Sequence, residues 1–215
     1  MSSFFSEIQA VNKANRSLIL PITCRESSVV LGNLVPITIK DIDDNLLITR
    51  LTEWRNKHMD KFFTSFTATP ERTRHWLNNF LSNSSTQMLF KIYENDVFVG
   101  HLGFKDFDDH TVTLDNAIKG ITTKNPRLFV DAHHVLSSWL FASSNIDKIK
   151  GYVFTDNIPA IMMNKKIGWR GWKRLPVNSA NAFVDESTPF VNLPGSSKPK
   201  KYCYELLLES DDILT

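Results

Sequence analysis

The sequence predicts an α/β (α+β) fold in a single domain, a mixed and mostly antiparallel sheet with flanking helices. Three observations lead there. Hydrophobic patterns of strand and helix type alternate along 215 residues with no internal repeat. Three β-favouring runs follow one another across short breaks, as in an antiparallel meander. A strong amphipathic helix then joins two strand segments, Thr111–Lys119 and Lys148–Phe154, which is how parallel neighbours are connected.

Taken in order, residues 1–33 read least clearly, with a short helix over Phe4–Ala14 and an extended piece over Leu18–Thr23. "NLVPITIKDID" (Asn33–Asp43) reads as a strand running into a helix cap. Leu47, Leu51 and Trp54 at i, i+4, i+7 mark a helix that ends in "WRN", Trp54-Arg55-Asn56. "TPERTRHWLNNFL" opens a second helix, with Thr69 as cap, Pro70 in the first position and Glu71 in the first turn.

The three strands are "QMLFKIYE", "VFVGHLGF" and "TVTLDNAIKG", the first two joined by Asn95-Asp96, a hairpin signal. Leu128, Ala132, Val135, Leu136, Trp139 and Leu140 place one apolar stripe on the clearest helix of the chain. Ile149, Tyr152, Val153 and Phe154 form a strand. Asp156 or Asn157 then caps a short helix with Pro159 in its first turn. On that helix Ala160, Met163 and Ile167 share a face with Asn164. The Pro/Ser/Asn-rich segment Pro176–Lys200 reads as a long hairpin or surface excursion before a last strand, "KYCYELLLE".

Composition narrows the function. Net charge is +2 and no basic stripe dominates, so nucleic acid is not an expected partner. The apolar runs are too short to span a bilayer. The start carries no basic segment leading into a long apolar one, so no membrane partner is expected and the cytoplasm is the default location. Cys24 and Cys203 fit no metal-ligand spacing and read as buried reduced thiols. His133 and His134 point about 100° apart on a helix, poor geometry for a shared metal, so no metal site is expected and both read as surface or packing residues.

Four stretches resemble the GNAT N-acetyltransferase superfamily. "LTEWRN" with "TPERTRHWL" looks like the opening helices of the branch that acetylates amino sugars and protein N-termini. "VFVGHLGF" resembles its β-hairpin arm. "NPRLFVDAHHVLSSWLF" stands where that family has its pyrophosphate loop and following helix. "VFTDNIPAIMMNKKIGW" is similar to its V-x-x-x-N-x-x-A-x-x-x-[Y/N]-x-K-x-G-[FW] ending. The resemblance spans Leu34 to Glu209, setting an N-terminal extension, 1–33, apart from an acyltransferase domain, 34–215.

The resemblance implies a fold whose parallel strands Thr111–Lys119 and Lys148–Phe154 splay apart, leaving a wedge for the pantetheine arm of acetyl-CoA as co-substrate. It implies Asn157 at the mouth of that wedge and Asn164 near the thioester. Backbone N–H groups near Ala117 or Ile118 would hold the oxyanion. Lys124, Asn125, Arg127 and Leu128 would face the pyrophosphate. Arg55 would line the acceptor site. Asp115 and His101 are the expected base and its partner for deprotonating the attacking amine.

Two departures stand out. "KNPRLF" (Lys124–Phe129) has no glycine where the family usually has Gly-x-Gly or Gly-x-Ala, and Asn164 replaces a frequent Tyr. Asn donates a hydrogen bond but cannot act as an acid. The expected acceptor is a primary amine of a small molecule, with a nucleotide-linked amino sugar leading. A protein N-terminus, or a non-catalytic acyl-CoA-binding module, are the alternatives. A homodimer is left open.

Overall fold

The computed structural model of the chain describes residues 3–64, 66–82, 84–177 and 201–213. Among these, the strands are β1 (Leu20–Thr23), β2 (Val30–Pro36), β3 (Met88–Glu94), β4 (Val97–Lys105), β5 (Thr111–Lys119), β6 (Lys148–Phe154), β7 (Arg170–Val177) and β8 (Lys201–Glu209). The helices are α1 (Ser3–Asn12), α2 (Asn45–Lys57), α3 (Pro70–Ser82), α4 (Leu128–Ser143), α5 (Ile158–Ile167) and α6 (Ser210–Ile213). The strands form one mixed sheet in the order β1-β2-β3-β4-β5-β6-β8-β7. Every neighbouring pair is antiparallel except β5 with β6.

Side chains alternate across each strand, so the two faces of the sheet feed two cores. Met88, Phe90 and Ile92 of β3 join the larger core with α1, α4 and α5. Leu89 of the same strand points the other way, into a smaller core with Leu51 and Trp54 of α2 and Leu77 of α3. The segment 3–33 is knitted into the larger core: Phe4, Ile8, Val11 and Ile22 are all buried there. Phe4 meets Phe107 at 4.9 Å and Trp139 of α4 at 5.2 Å between ring centroids.

Local chemistry sets the boundaries. Asp44 caps α2, its side chain accepting from the N–H groups of Leu46 and Leu47. The Thr69 hydroxyl accepts from the Arg72 N–H at 3.3 Å, with Pro70 opening α3 as its sequence predicts. Asn157 caps α5, and Gly168 ends it in the left-handed region at φ +100°, where glycine is free of the steric penalty. The Gly168 N–H returns to the Asn164 carbonyl at 3.2 Å.

One element departs from expectation. Arg170–Val177 is strand β7, which the periodicity did not announce, and the expected loop from Pro176 therefore begins two residues inside a strand. Val177 pairs with Lys201, so β7 and β8 are the two arms of a hairpin. The remainder of the expected excursion, 178–200, lies outside the described residues. On α5 Ile167 is buried and Ala160 and Met163 pack partly buried against the larger core, as the expected stripe has it, while Ile161, outside that stripe, is buried as well and Asn164 is half-buried.

Candidate active site

The central feature is how little of β5 pairs with β6. Thr111, Val112 and Thr113 stand opposite Lys148, Ile149 and Lys150, and the ladder ends there. Beyond it β6 stays paired with β8 through Phe154, and β5 stays with β4 through Lys119. The facing edges of Leu114–Lys119 and Gly151–Phe154 are thus left without a strand partner. Backbone N–H and C=O groups there must be met by something other than a ladder.

The same stretch of β5 is bulged. His101 of β4 pairs with Ile118 and Gly103 with Asp115, so Asn116 and Ala117 oppose a single residue. Asn116 sits at φ +53°, a conformation Asn tolerates better than most residues. Ala117 is turned to the surface and Ile118 back into the core. A bulge of this kind re-aims main-chain groups beside an open edge.

Asp115 pairs with Gly103, two residues from His101 on β4, and no hydrogen bond joins the Asp115 and His101 side chains. The Asp115 carboxylate accepts from Lys105 Nζ at 3.0 Å and from Asn116 Nδ2 at 3.4 Å. His101 is 4% exposed, with its ring stacked 6.3 Å from that of Trp54 and its Nδ1 unpartnered. Burial pushes its pKa down to about 4, against the pull of the Asn116 main chain and the Asp115 charge. The imidazole is therefore neutral at physiological pH.

At the loop before α4, Glu94 reaches across from the end of β3. Lys124 N–H donates to its Oε2 at 2.8 Å and Asn125 N–H to its Oε1 at 2.7 Å. The Arg127 N–H donates to Asn125 Oδ1 at 2.8 Å, and that of Leu128 to the Asn125 carbonyl at 3.4 Å. All four residues expected to face a pyrophosphate thus have main-chain N–H groups already engaged within the chain. The Arg127 guanidinium pairs with Glu26, and its Nε lies 3.7 Å from Asp131. Glu94, Asn95 and Lys124 to Pro126 also line a hollow of about 340 Å³ with Val30 and Leu31.

The "WRN" end of α2 holds the opposite side together. Trp54 fills the smaller core, 4.8 Å from Phe98. Arg55 lies 3.7 Å from the Phe62 ring centroid and 4.8 Å from that of Phe66, and donates to the Thr64 carbonyl at 2.6 Å. Asn56 makes a two-way bridge to the Ala68 main chain. Arg55 is thereby engaged in shaping the α2–α3 connection, where the sequence suggested an acceptor ligand. That connection reaches the open ends of both strands: Phe63 packs on Phe154 of β6 at 4.5 Å. His58 feels the Lys119 main chain at the end of β5, and burial, reinforced by Lys57, lowers its pKa.

Asn157 Oδ1 accepts from the Ala160 N–H at 3.4 Å, a long cap bond. Replacing Asn157 with Ala is expected to cost about 0.5–1 kcal/mol in chemical denaturation, the low end for a lost cap. The Asn164 side chain has no hydrogen-bond partner among the described residues and is half-exposed. Cys203 is buried and Cys24 only half-buried, which corrects the expectation for Cys24; neither is in a disulfide. His133 and His134 are both buried packing residues. Among the described residues no group of three His, Cys, Asp or Glu is placed to hold a metal ion, and no helix is long and apolar enough to cross a membrane.

Sequence reasoning missed Glu94, His58 and Asn116. Glu94 left a faint signal, as a carboxylate closing an apolar strand. The other two left none beyond residue type.

A mixed sheet opened between one short parallel pair, beside a bulged strand, is the arrangement this chain shares with GNAT-fold proteins. A family model described as an acetyltransferase (GNAT) domain matches residues 42–176, well over half of the chain, and the chain belongs to that family. Three solved structures share its fold. The ribosomal L7/L12 α-N-protein acetyltransferase RimL has a TM-score of 0.66 at 8% identity, over 91% of this chain and 96% of that one. Spermidine N-acetyltransferase from Vibrio cholerae, in complex with CoA and spermine, has 0.62 at 12%, over 86% and 99%. FdhC, a nucleotide-linked sugar GNAT, has 0.58 at 12%, over 86% and 89%. No curated protein sequence matches. At such identities the likeness shows the fold alone.

Proposed function

We propose that this protein is an acetyl-CoA-dependent N-acetyltransferase acting on a primary amine of a small molecule, with a nucleotide-linked amino sugar as the leading acceptor. The observation that carries the reading is the three-rung parallel pair, which leaves an unpaired edge of β5 running past a bulge. A slender pantetheine arm satisfies such an edge as a substitute strand. A bulge such as that at Asn116 and Ala117 re-aims main-chain groups beside an open edge, in keeping with an oxyanion held near Ala117 or Ile118. Asn164, a side-chain amide on α5 with no hydrogen-bond partner among the described residues, is suited to donate to the thioester or the departing sulfur.

The neutral amine attacks the thioester carbon, a tetrahedral intermediate forms, and the C–S bond breaks to release coenzyme A thiolate. The amine loses one proton, which Asp115 accepts directly or through water. Its side chain is 38% exposed, so solvent reaches it. His101, sealed and neutral, packs behind Asp115 in this scheme. A thiol near pKa ~8.5 leaves without a dedicated acid, which is consistent with Asn in place of Tyr.

Thiol release from acetyl-CoA is the measurement, with amino-sugar nucleotides, polyamines and N-terminal peptides as separate acceptors. Release with the first group alone supports the reading, and release with peptides alone moves it to a protein N-terminal acetyltransferase. Asp115→Asn is expected to lower the rate on the order of 10²-fold while acetyl-CoA still binds. A drop seen for His58→Asn and not for Asp115→Asn transfers the base role to His58. The engaged amides at Lys124 and Asn125 favour one second reading, a module that keeps the fold without catalysis. No thiol release with any acceptor supports that one.

A further inference from the structure

We propose that Glu94 is a built-in competitor for the pyrophosphate of the acyl donor, and so sets how far the protein prefers coenzyme A over donors that lack a diphosphate. The inference rests on the donor reading above and goes beyond it by naming the residue that governs the choice of donor. The loop before a long helix is a natural anion seat, because its N–H groups lie at the positive end of the helix dipole; here Lys124 and Asn125 stand three and two residues before the Arg127 cap of α4. In this chain that seat holds a carboxylate. Glu94 is 7% exposed and takes the Lys124 and Asn125 N–H groups with one oxygen each, at 2.8 and 2.7 Å. Two short bonds to an ionised acceptor are about twice as strong as neutral ones.

Sequence position makes this contact more than a turn filling its own needs. Glu94 lies 30 and 31 residues before its partners, on a different element, at the rung before the Asn95-Asp96 turn. The hollow beside it, lined by Lys124 to Pro126 and by Asn95, gives the side chain or an incoming group room to exchange. A diphosphate arriving at this loop meets a like charge and engaged donors, and it must displace the carboxylate to gain them. A plain pantetheine carries no charge there and meets no such competition. Glu26, which pairs with Arg127, is 71% exposed, so solvent screens it and its effect on the same preference is far smaller.

The test compares the affinities of coenzyme A and of pantetheine, measured calorimetrically on the full chain. The ratio within each protein is the readout, so a general loss of binding cancels. Glu94→Gln is expected to raise the coenzyme A to pantetheine affinity ratio on the order of tenfold, and Glu94→Ala to raise it as well. Glu26→Gln should move it less than threefold or so. A ratio that stays level or falls in both Glu94 variants overturns the proposal while leaving the donor reading intact. Should neither ligand bind wild type or variants, the donor reading fails and takes this inference with it. Wild-type protein supplies an independent measurement if the variants fold poorly. On titration the Lys124 and Asn125 amide resonances should shift with coenzyme A and not with pantetheine. Amides that stay put while coenzyme A binds overturn the proposal equally.

Discussion

Between pH 6.5 and 4 the folded state is expected to lose stability steeply, at roughly 3 to 4 kcal/mol per pH unit through the middle of that window. The cause is three histidines held neutral by burial. His101, His133 and His134 are 4%, 3% and 5% exposed, and burial pushes each pKa down to about 4. His133 keeps its Nδ1 against the Phe129 carbonyl at 2.7 Å, and His134 has the Arg25 guanidinium 3.4 Å away, which opposes a second positive charge. In the unfolded chain the same groups return to about 6.5. The unfolded state therefore binds more protons throughout that window, and stability rises with pH across it. The stabilisation is complete above 6.5 and vanishes as pH falls through the folded value. Asp131 works the other way, because burial raises its carboxyl pKa and the folded state there holds the extra proton, but it is one group against three. By pH 5 the three groups together remove about 6 kcal/mol, enough to unfold a domain near the lower end of the usual range of about 5–15 kcal/mol. Chemical denaturation at half-unit steps checks it, and a midpoint that stays level from pH 7.5 to 5 would sink it. Replacing His133 with Gln should remove about one proton from the slope, so its relative cost shrinks as the solution is acidified.

The elements that were legible in the sequence are those whose signals are local. Leu128 to Leu140 repeat on one helical stripe, and α4 begins at Leu128 as that stripe predicts. Lys148–Phe154, the Asn157 cap and Gly168 stand in the structure where residue chemistry puts them. Strand β7 was hidden because "RGWKRLPV" is mostly exposed on both faces and forms an edge, so burial imposes no alternation on it. Its partner β8 lies more than twenty residues away in sequence, and no local signal announces the pairing.

In the candidate site the limit is similar. Strict alternation along Thr111–Lys119 sets Asp115 on the face opposite Leu114, but it carries no sign that the count shifts at Asn116, because the bulge arises from register with β4. The pairing of Glu94 with Lys124 and Asn125 joins a hairpin to a loop thirty residues on. Charge at the loop was visible in Lys124 and Arg127, while the carboxylates that answer it, Glu94 and Glu26, become apparent only when the sheet brings them there.

Gly120→Ala is expected to be strongly damaging for a single added methyl. A Cβ at Gly120 would stand 2.0, 2.2 and 2.3 Å from Cε2, Cδ2 and Cζ2 of Trp54, well inside contact distance. The indole cannot step aside, since it is 5% exposed and held against Phe98 and the His101 ring. Nor can the main chain: the Gly120 and Ile121 N–H groups both donate to the Val99 carbonyl, at 3.0 and 3.1 Å. Overpacking of a dense core commonly costs about 1–3 kcal/mol, and a clash with a fixed ring belongs at or above the top of that range. Trimming the ring tests the mechanism. Trp54→Leu alone should cost about 3 kcal/mol, by analogy with other large-to-small changes in cores. Placed on the Gly120→Ala background it should cost little, because the new methyl takes part of the vacated space. The resulting coupling energy should exceed about 2 kcal/mol, and additive losses would show that the damage comes from somewhere other than this contact. The contact also ties the two halves of the candidate site together. Gly120 follows the last residue of β5 and leads into the loop before α4, while Trp54 belongs to the helix whose next two residues shape the α2–α3 connection. A double variant that loses little further stability but moves the indole's neighbours should still transfer acyl groups slowly, since a displacement of about 1 Å at a reacting pair costs on the order of 10²-fold in rate.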